Sequence, residues 1–195
     1  MTNWLILMVK EPHPGRVKTR LARDIGHVDA AWWFRHQSAR LIRRLRDPRW
    51  QLALAVAPDA EGLRSRVWPA DLPRIPQGFG SLGQRMTAIF PGLSPGPVCI
   101  IGSDIPGITR RHIASAFTAL GSSDAVIGPA PDGGYWLIGL KGTAAVPASL
   151  LDGVRWSTAH ARADTERALA PRRIAYIDTL RDIDRLADLQ AAPDR

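Results

Sequence analysis

The sequence predicts an α/β protein with a mostly parallel sheet, and three features of the chain indicate this fold class. Short apolar runs recur at residues 4–9, 51–57 and 98–101. Proline, glycine or polar residues bound each run, as expected for strands that are buried on both faces. Segments with helical spacing lie between the runs, and the longest of them covers 28–45.

The first half of the chain alternates between strands and helices. Strands are predicted at 4–9, 51–57 and 74–77, and helices at 28–45 and 82–90. Phe34, Leu41 and Leu45 share one face of the first helix, which gives it an apolar side to bury. Ser81 precedes the second helix and is suited to cap it, because its hydroxyl can accept from a free amide of the first turn.

The second half continues this alternation. Strands are predicted at 98–101, 124–129, 135–140 and 173–178, and helices at 109–120 and 157–169, with a short one ending near Leu189. Thr109 and Ser157 are suited to cap the two longer helices, and Gly121 to end the first of them. Asp132-Gly133 lies between two strands and is a hairpin-turn signal.

Composition and charge limit the classes of function. With 195 residues, of which 45% are hydrophobic, the chain is expected to form a single domain over 1–195. The net charge of +8 favours anionic partners such as phosphates, nucleotides or nucleic acid. No apolar run approaches the roughly 20 residues of a membrane span. The single cysteine, Cys99, and the absence of a basic leader favour the cytoplasm.

Asp104 is the first candidate site residue. It follows the apolar run Val98–Ile101, and Pro106 prevents the strand from continuing. Ligands of open α/β sheets bind outside the carboxyl ends of the strands, so this carboxylate is placed to meet a ligand or a metal. The alternative interpretation is a turn residue before the helix near Thr109.

A cationic loop follows the first strand. Lys10, Arg16, Lys18 and Arg20 lie within eleven residues that also contain two prolines and a glycine. Several cations on one loop can spread over the oxygens of a polyphosphate, and without an anion they repel one another. The alternative is a solvated basic loop. The spacing is not that of a P-loop.

A glycine-rich segment precedes the helix that begins near residue 82. Gly78, Gly80 and Gly83 formally satisfy a dinucleotide-binding fingerprint. We interpret this match as fortuitous, because no strong strand precedes it and it lies in the middle of the chain. Gln84 and Arg85 would fall in the first turns of the helix, near the ligand edge of the sheet, or be ordinary surface residues.

Two further groups of residues could serve a site. The segment Asp132, Gly133, Gly134 and Tyr135 could contribute a carboxylate and amides if it faces the same cleft as Asp104. Otherwise it is only a turn. Asp182 and Asp184 precede the last helix, where acids more often stabilise the helix start than bind a ligand.

These segments together resemble one family. They read Lys10-x-Pro-x-Pro-Gly-Arg-Val-Lys-Thr-Arg-Leu21, Gln77-Gly-x-Gly-x-Leu-Gly-x-Arg-Met86, Ile101-Gly-Ser-Asp-x-Pro106, Gly128-Pro-Ala-x-Asp-Gly-Gly-Tyr-x-Leu-Ile-Gly-Leu140, Trp156-Ser-Thr158 and Asp182-Ile-Asp184. In this order they are similar to the DUF2064 proteins, a glycosyltransferase-A-like group that is also similar to phospholactate guanylyltransferase. Ser81 stands where an acid is usual in that family, so it is given no site role.

The resemblance implies a Rossmann-like α/β/α sandwich of the nucleotide-diphospho-sugar transferase type. It also implies a nucleotide with a divalent cation, Mg²⁺ or Mn²⁺, at the strand ends. On this basis Asp104, with Asp182 and Asp184, is expected to bind the metal. The four loop cations, with Gly80, Gly83, Gln84 and Arg85, would bind the nucleotide, and residues 132–135 would form the acceptor side. Asp104 and Lys18 would be the catalytic pair.

The expected reaction is nucleotidyl transfer from a nucleoside triphosphate to a small phosphorylated or hydroxylated acceptor. Glycosyl transfer from a nucleotide-sugar is the alternative within the same fold. A nucleotide-binding protein without activity and a basic nucleic-acid binder are alternatives of other classes. Nucleic acid is the less favoured partner, because aromatic residues do not alternate with the basic ones as a stacking surface requires.

Overall fold

One sheet organises the protein in a computed structural model that describes residues 1–93, 95–142 and 146–191. Among these residues, seven strands follow the order β3-β2-β1-β4-β6-β5-β7. The strands are β1 Trp4–Lys10, β2 Gln51–Ala57, β3 Arg74–Pro76, β4 Val98–Ile101, β5 Ala125–Pro129, β6 Tyr135–Leu140 and β7 Ile174–Tyr176. The helices are α1 Ala22–Ile25, α2 His27–Leu45, α3 Asp59–Arg64, α4 Leu82–Ile89, α5 Arg110–Ser122, α6 Ala161–Leu169 and α7 Leu186–Ala191, with a 3₁₀ turn at Pro91–Leu93.

The sheet is mostly parallel, as predicted. Strands β3, β2, β1 and β4 run side by side in one direction, and β5 pairs in parallel with β7. Only β6 runs antiparallel to its two neighbours, because a tight hairpin joins it to β5. The carboxyl ends of β1, β4 and β5 therefore meet at one edge of the sheet.

Apolar side chains cover both faces of the sheet. Leu5 and Leu7 of β1 pack on the side of α2 and α5, whereas Ile6 packs on the side of α4 and α6. This alternation follows from the period of two in a strand, since successive side chains point to opposite faces. The uninterrupted apolar runs thus belong to strands buried on both sides, which gives an α/β/α sandwich.

Two of the three predicted N-cap residues are found at the start of their helices. Ser81 caps α4 through a capping box with Gln84, and Thr109 caps α5. The prediction that Ser157 caps the next helix is wrong. Helix α6 begins only at Ala161, because Ser157 has a left-handed backbone with φ of 59°. Residues 157–160 therefore form a separate loop.

Candidate active site

A cleft of about 530 Å³ opens at the edge of the sheet where β1, β4 and β5 end. The loop after β1, the loop after β4, the β5–β6 hairpin and the first turns of α4 form its walls. The predicted site residues that line it are Lys10, Arg16, Lys18, Arg85, Asp104, Asp132, Gly134, Tyr135 and Asp182. The cationic loop and the acid after the central strand thus lie in one crevice.

Lys18 connects the two halves of this crevice. Its ammonium group donates to a carboxylate oxygen of Asp104 at 2.8 Å and to one of Asp184 at 2.9 Å. The side chain is only 7% exposed, so the charge is held in place by its partners and not by water. Arg20 donates to the second oxygen of Asp184 from the exposed side. Lys18, with φ of 45°, has a left-handed backbone like that of Ser157.

The segment after β7 brings the last two acids to the cleft. Main-chain hydrogen bonds attach it to the sheet edge, from Ile177 to Ile127, from Leu180 to Pro129 and from Ile183 to Asp104. It therefore crosses the carboxyl ends of β5 and β4. Asp182 and Asp184 flank the residue that bonds to the Asp104 carbonyl, and this explains why acids 78 and 80 positions later in the chain lie beside Asp104.

Asp104, Asp182 and Asp184 form a cluster that fits a hard divalent cation. Each offers one carboxylate oxygen, and the three oxygens lie within 4.8 Å of one another. Mg²⁺ and Mn²⁺ prefer oxygen ligands, whereas a zinc site would favour nitrogen or sulfur. The donor set therefore agrees with the group implied by the resemblance.

The acids of the cluster differ in how their surroundings shift the carboxyl pKa. Burial, together with the neighbouring Asp104 and Asp184, raises the pKa of Asp182 to about 6. Burial acts in the same direction on Asp184, but Lys18 and Arg20 outweigh it and hold the pKa of Asp184 below its usual value. Burial lowers the pKa of Lys18, yet the two acids overcome this effect and raise it above the ordinary value. The ammonium and Asp184 therefore form an ion pair, whereas burial and the two neighbouring acids disfavour the charged form of Asp182.

The other cations of the loop are less constrained. Arg16 reaches Glu61 at 3.4 Å, and His13 contacts the same carboxylate at 3.0 Å. Lys10 is exposed at the mouth of the cleft. These side chains can turn toward an anion without breaking a buried contact, because their present partners lie at the surface.

Four of the predicted nucleotide-binding positions do not line the cleft, namely Arg20, which pairs with Asp184, and Gly80, Gly83 and Gln84. The Gln84 side chain accepts from the Ser81 amide and so completes the cap of α4. Gly80 lies against this side chain, and a Cβ there would come within 2.4 Å of it. A Cβ on Gly83 would lie 2.7 Å from the carbonyl oxygen of Leu151. Close packing therefore accounts for both glycines without a ligand.

The β5–β6 hairpin forms another wall of the cleft. Asp132 accepts from the Gly134 amide at 2.9 Å, so the turn interpretation is correct, and its carboxylate also lines the cleft. Gly133 has φ of 86°, and a Cβ there would lie 2.3 Å from the carbonyl oxygen of Ala159. The Tyr135 ring is packed edge to face against Trp156, and burial raises the pKa of its hydroxyl.

Comparison with known sequences decides the family. Residues 41–158 match the family described as an uncharacterized protein conserved in bacteria, DUF2064. This chain belongs to the DUF2064 family. No curated protein matches it.

Several solved structures share the fold of this DUF2064 protein. A provisionally named nucleotide-diphospho-sugar transferase from Desulfovibrio desulfuricans G20 is 29% identical, with a TM-score of 0.86 over 98% of this chain and 86% of that one. 4-Diphosphocytidyl-2C-methyl-D-erythritol synthase from Anaerococcus prevotii DSM 20548 is 10% identical, with a TM-score of 0.59 over 98% and 96% of the two chains. Rv0371c from Mycobacterium tuberculosis H37Rv, in complex with manganese, is 12% identical, with a TM-score of 0.56 over 98% and 97%. The predicted nucleotide-diphospho-sugar transferase fold is thereby confirmed.

Several residues of this DUF2064 protein line the cleft although sequence patterns predicted no site role for them. Gln77, Trp156 and Ser157 are among them. Among the described residues, the two non-glycine positions with positive φ are Lys18 and Ser157, and both lie on the cleft wall. Such backbone strain concentrates at functional sites. Sequence patterns could not identify it at Ser157, because a serine before a helix is ordinarily a cap.

The loop that carries Ser157 is fixed from outside the cleft. Arg155 donates to Asp164 through its backbone amide and its guanidinium, at 2.8 to 3.1 Å, and Arg167 adds a contact at 3.0 Å. Asp164 is buried, and these donors hold its pKa below the usual range. The strained turn therefore rests on a rigid support.

In the part of the chain that the structure describes, no helix is long and apolar enough to cross a membrane.

Proposed function

We propose that this protein is a metal-dependent nucleotidyltransferase that acts on a nucleoside triphosphate and a small phosphorylated or hydroxylated acceptor. The observation that carries the proposal is the contact between Lys18 and Asp104. It joins a loop suited to bind a polyphosphate to a cluster of acids suited to bind a metal ion. The shared fold with a diphosphocytidyl synthase supports this reaction class, and the shared fold with Rv0371c, which was solved with manganese, supports a divalent metal.

The binding roles follow from charge and position. Lys10 and Arg16 at the mouth of the cleft would meet the β- and γ-phosphates, because their exposed side chains can turn inward. Lys18 would neutralise the phosphate nearest the acids. Asp104 and Asp182, with Asp184 beside them, would hold Mg²⁺ or Mn²⁺, which when bound neutralises charge on the phosphate oxygens.

The reaction needs positioning more than covalent chemistry. An acceptor oxygen forms a bond to the α-phosphorus while the bond to the bridging oxygen breaks, and pyrophosphate leaves with that electron pair. A phosphate acceptor is already anionic at neutral pH, whereas a hydroxyl would lose its proton to a carboxylate on the acceptor side, such as Asp132. Lys10, Arg16 and Lys18 stabilise the charge that develops on the leaving group.

The rival reaction is glycosyl transfer from a nucleotide-sugar, favoured by the similarity to the Desulfovibrio nucleotide-diphospho-sugar transferase. The two reactions use the same nucleotide and metal subsites and differ in the atom that is attacked. A thermal-shift panel of the four nucleoside triphosphates and of common nucleotide-sugars, each with and without Mn²⁺, distinguishes them. A ligand that binds only the native state raises the melting temperature by mass action.

Nucleotidyl transfer predicts that one triphosphate gives the largest shift, that Mn²⁺ increases it, and that the acceptor then releases pyrophosphate. A larger shift with a nucleotide-sugar favours the rival reaction. If neither class of ligand changes the melting temperature, the proposal is wrong.

A further inference from the structure

Arg85 is a partly buried cation without an acidic partner. Arg85 lines the cleft, and no carboxylate of the described residues lies within ion-pair distance of its guanidinium. By contrast, Lys18 and Arg20 are both paired with acids. The Nε atom of Arg85 is buried and makes no hydrogen bond within the protein. A buried charge without a counter-ion is costly, and an unpaired buried donor adds to that cost.

A neutral side chain holds this guanidinium. One terminal nitrogen of Arg85 donates to the amide oxygen of Gln77 at 3.0 Å. The Gln77 amide nitrogen in turn donates to the carbonyl oxygens of Val9 at 3.0 Å and Ala55 at 2.7 Å. Because both of these acceptors are carbonyls, the orientation of the Gln77 amide is fixed, and its oxygen can only face Arg85.

This arrangement connects the sheet to the cleft. Val9 and Ala55 lie near the carboxyl ends of β1 and β2, and Gln77 follows β3 and is only 2% exposed. The rigid strands therefore set the direction of the Arg85 side chain. Since Gln77 carries no charge, it orients the guanidinium without neutralising it.

We infer that Arg85 is the anchor for an oxyanion of the substrate and that Gln77 is its positioning residue. The inference rests on the proposed function and specifies one anionic contact within it. A guanidinium presents N–H groups that match a phosphate or carboxylate, and the terminal nitrogen that does not contact Gln77 remains available here, whereas Nε is covered by the protein. A bound oxyanion would accept from this free terminal nitrogen and neutralise the charge at once.

The first test follows the anion directly. The Nε–Hε signal of Arg85 in an ¹⁵N-resolved NMR spectrum, assigned by its loss in Arg85→Lys, is monitored during titration with inorganic pyrophosphate and, separately, with malonate. A saturable shift with pyrophosphate alone identifies a phosphate site, and a shift with malonate alone identifies a carboxylate site. If neither anion moves the signal, the inference is wrong. The test needs no nucleotide, so it can succeed even if the proposed function fails.

The second test separates positioning from a structural role. Binding affinity is measured for the wild type, Gln77→Met, Arg85→Met and the double variant. The ligand is the nucleoside triphosphate that gives the largest thermal shift. If no nucleotide binds, the ligand is the oxyanion that shifts the Nε–Hε signal. We expect Arg85→Met to weaken binding about tenfold and Gln77→Met about fivefold, with Arg85→Lys between the wild type and Arg85→Met. The double variant should bind no more weakly than Arg85→Met.

Arg40→Met is the control for a change in net charge, because Arg40 is exposed on α2 and does not line the cleft. Gln77→Met is expected to lower thermal stability in both backgrounds, since its two carbonyl partners lose a donor. If it also weakens binding equally in both backgrounds, Gln77 does not act through Arg85. If Arg85→Met binds as the wild type does, the anchor role is refuted.

Discussion

The Lys18 ammonium lies 2.8 Å from the carboxylate of Asp104, although 86 positions separate the two residues in the chain. The contact forms because β1 and β4 are parallel neighbours, so the loops that follow them meet at one edge of the sheet. A third residue, Asp184, shares the same ammonium group. Lys18 thus compensates part of the negative charge of the acidic cluster.

Replacement of Lys18 by methionine should increase the affinity of the cluster for Mn²⁺ by about tenfold, since a fixed positive charge near the ligands is removed. The same variant should bind nucleoside triphosphate more weakly. Mn²⁺ affinity can be measured by titration calorimetry. Arg20→Met is the matched control, because its guanidinium pairs with Asp184 and with no other acid of the described residues, and the side chain is 54% exposed. Weaker Mn²⁺ binding in Lys18→Met would contradict this account.

Ser157→Gly should raise the free energy of unfolding by about 1 kcal/mol, because glycine adopts a left-handed backbone without the cost that a Cβ imposes. The variant should nevertheless bind the substrates less well, since it loses the hydroxyl on the cleft wall and a rigid turn. Chemical denaturation and a binding titration measure the two effects. Ser157→Ala separates them, because it removes the hydroxyl and keeps the strain. If both properties improve in Ser157→Gly, the strain serves no function.

Gly133→Ala should destabilise the protein by about 3 kcal/mol, the upper range for overpacking, because its Cβ would meet the backbone of Ala159 and its φ is unfavourable for alanine. Gly142→Ala is the control, since a Cβ there has open space. The midpoint of urea denaturation measures both. If Gly133→Ala and the wild type have the same midpoint, the hairpin moves away from the loop of residues 157–160 without a loss of stability.

Asp164 should make stability depend on pH. Its pKa is lowered in the folded protein by Arg155, so the ionised carboxylate stabilises the fold above about pH 4, and this contribution is lost as the pH falls further. Asp164→Asn should therefore lower the melting temperature at pH 7, and the difference from the wild type should shrink toward pH 3. Asp71→Asn is the control, because its pair with Arg46 is at the surface. A constant difference across this range would exclude an ionic role.

Most of the fold could be predicted from local patterns. Strands such as Val98–Ile101 have uninterrupted apolar runs, and Ser81 and Thr109 precede their helices as caps do. The start of α6 could not be predicted, because Ser157 has the residue type of a cap and a backbone that only tertiary packing imposes.

The candidate site was predictable only for the residues that directly follow a predictable strand. The positions of Asp104 and of the loop with Lys18 follow from the strands that precede them. Asp182 depends on a segment that crosses the sheet edge through single main-chain contacts, which leave no pattern in the sequence. The orientation of Arg85 depends on Gln77, and that of Gln77 depends on a hydrogen bond to Val9, which is distant in the chain. Only the structure therefore reveals how Gln77 orients Arg85.

The central claim is that the loop after β1 and the acids after β4 and β7 form one metal and polyphosphate site. The most direct measurement is a calorimetric titration of nucleoside triphosphate into the wild type and into Asp104→Asn, with and without Mn²⁺. We expect Mn²⁺ to strengthen binding about tenfold or more in the wild type and to have little effect in the variant. An equal effect of Mn²⁺ on both proteins, or no binding of any triphosphate to the wild type, would contradict the claim.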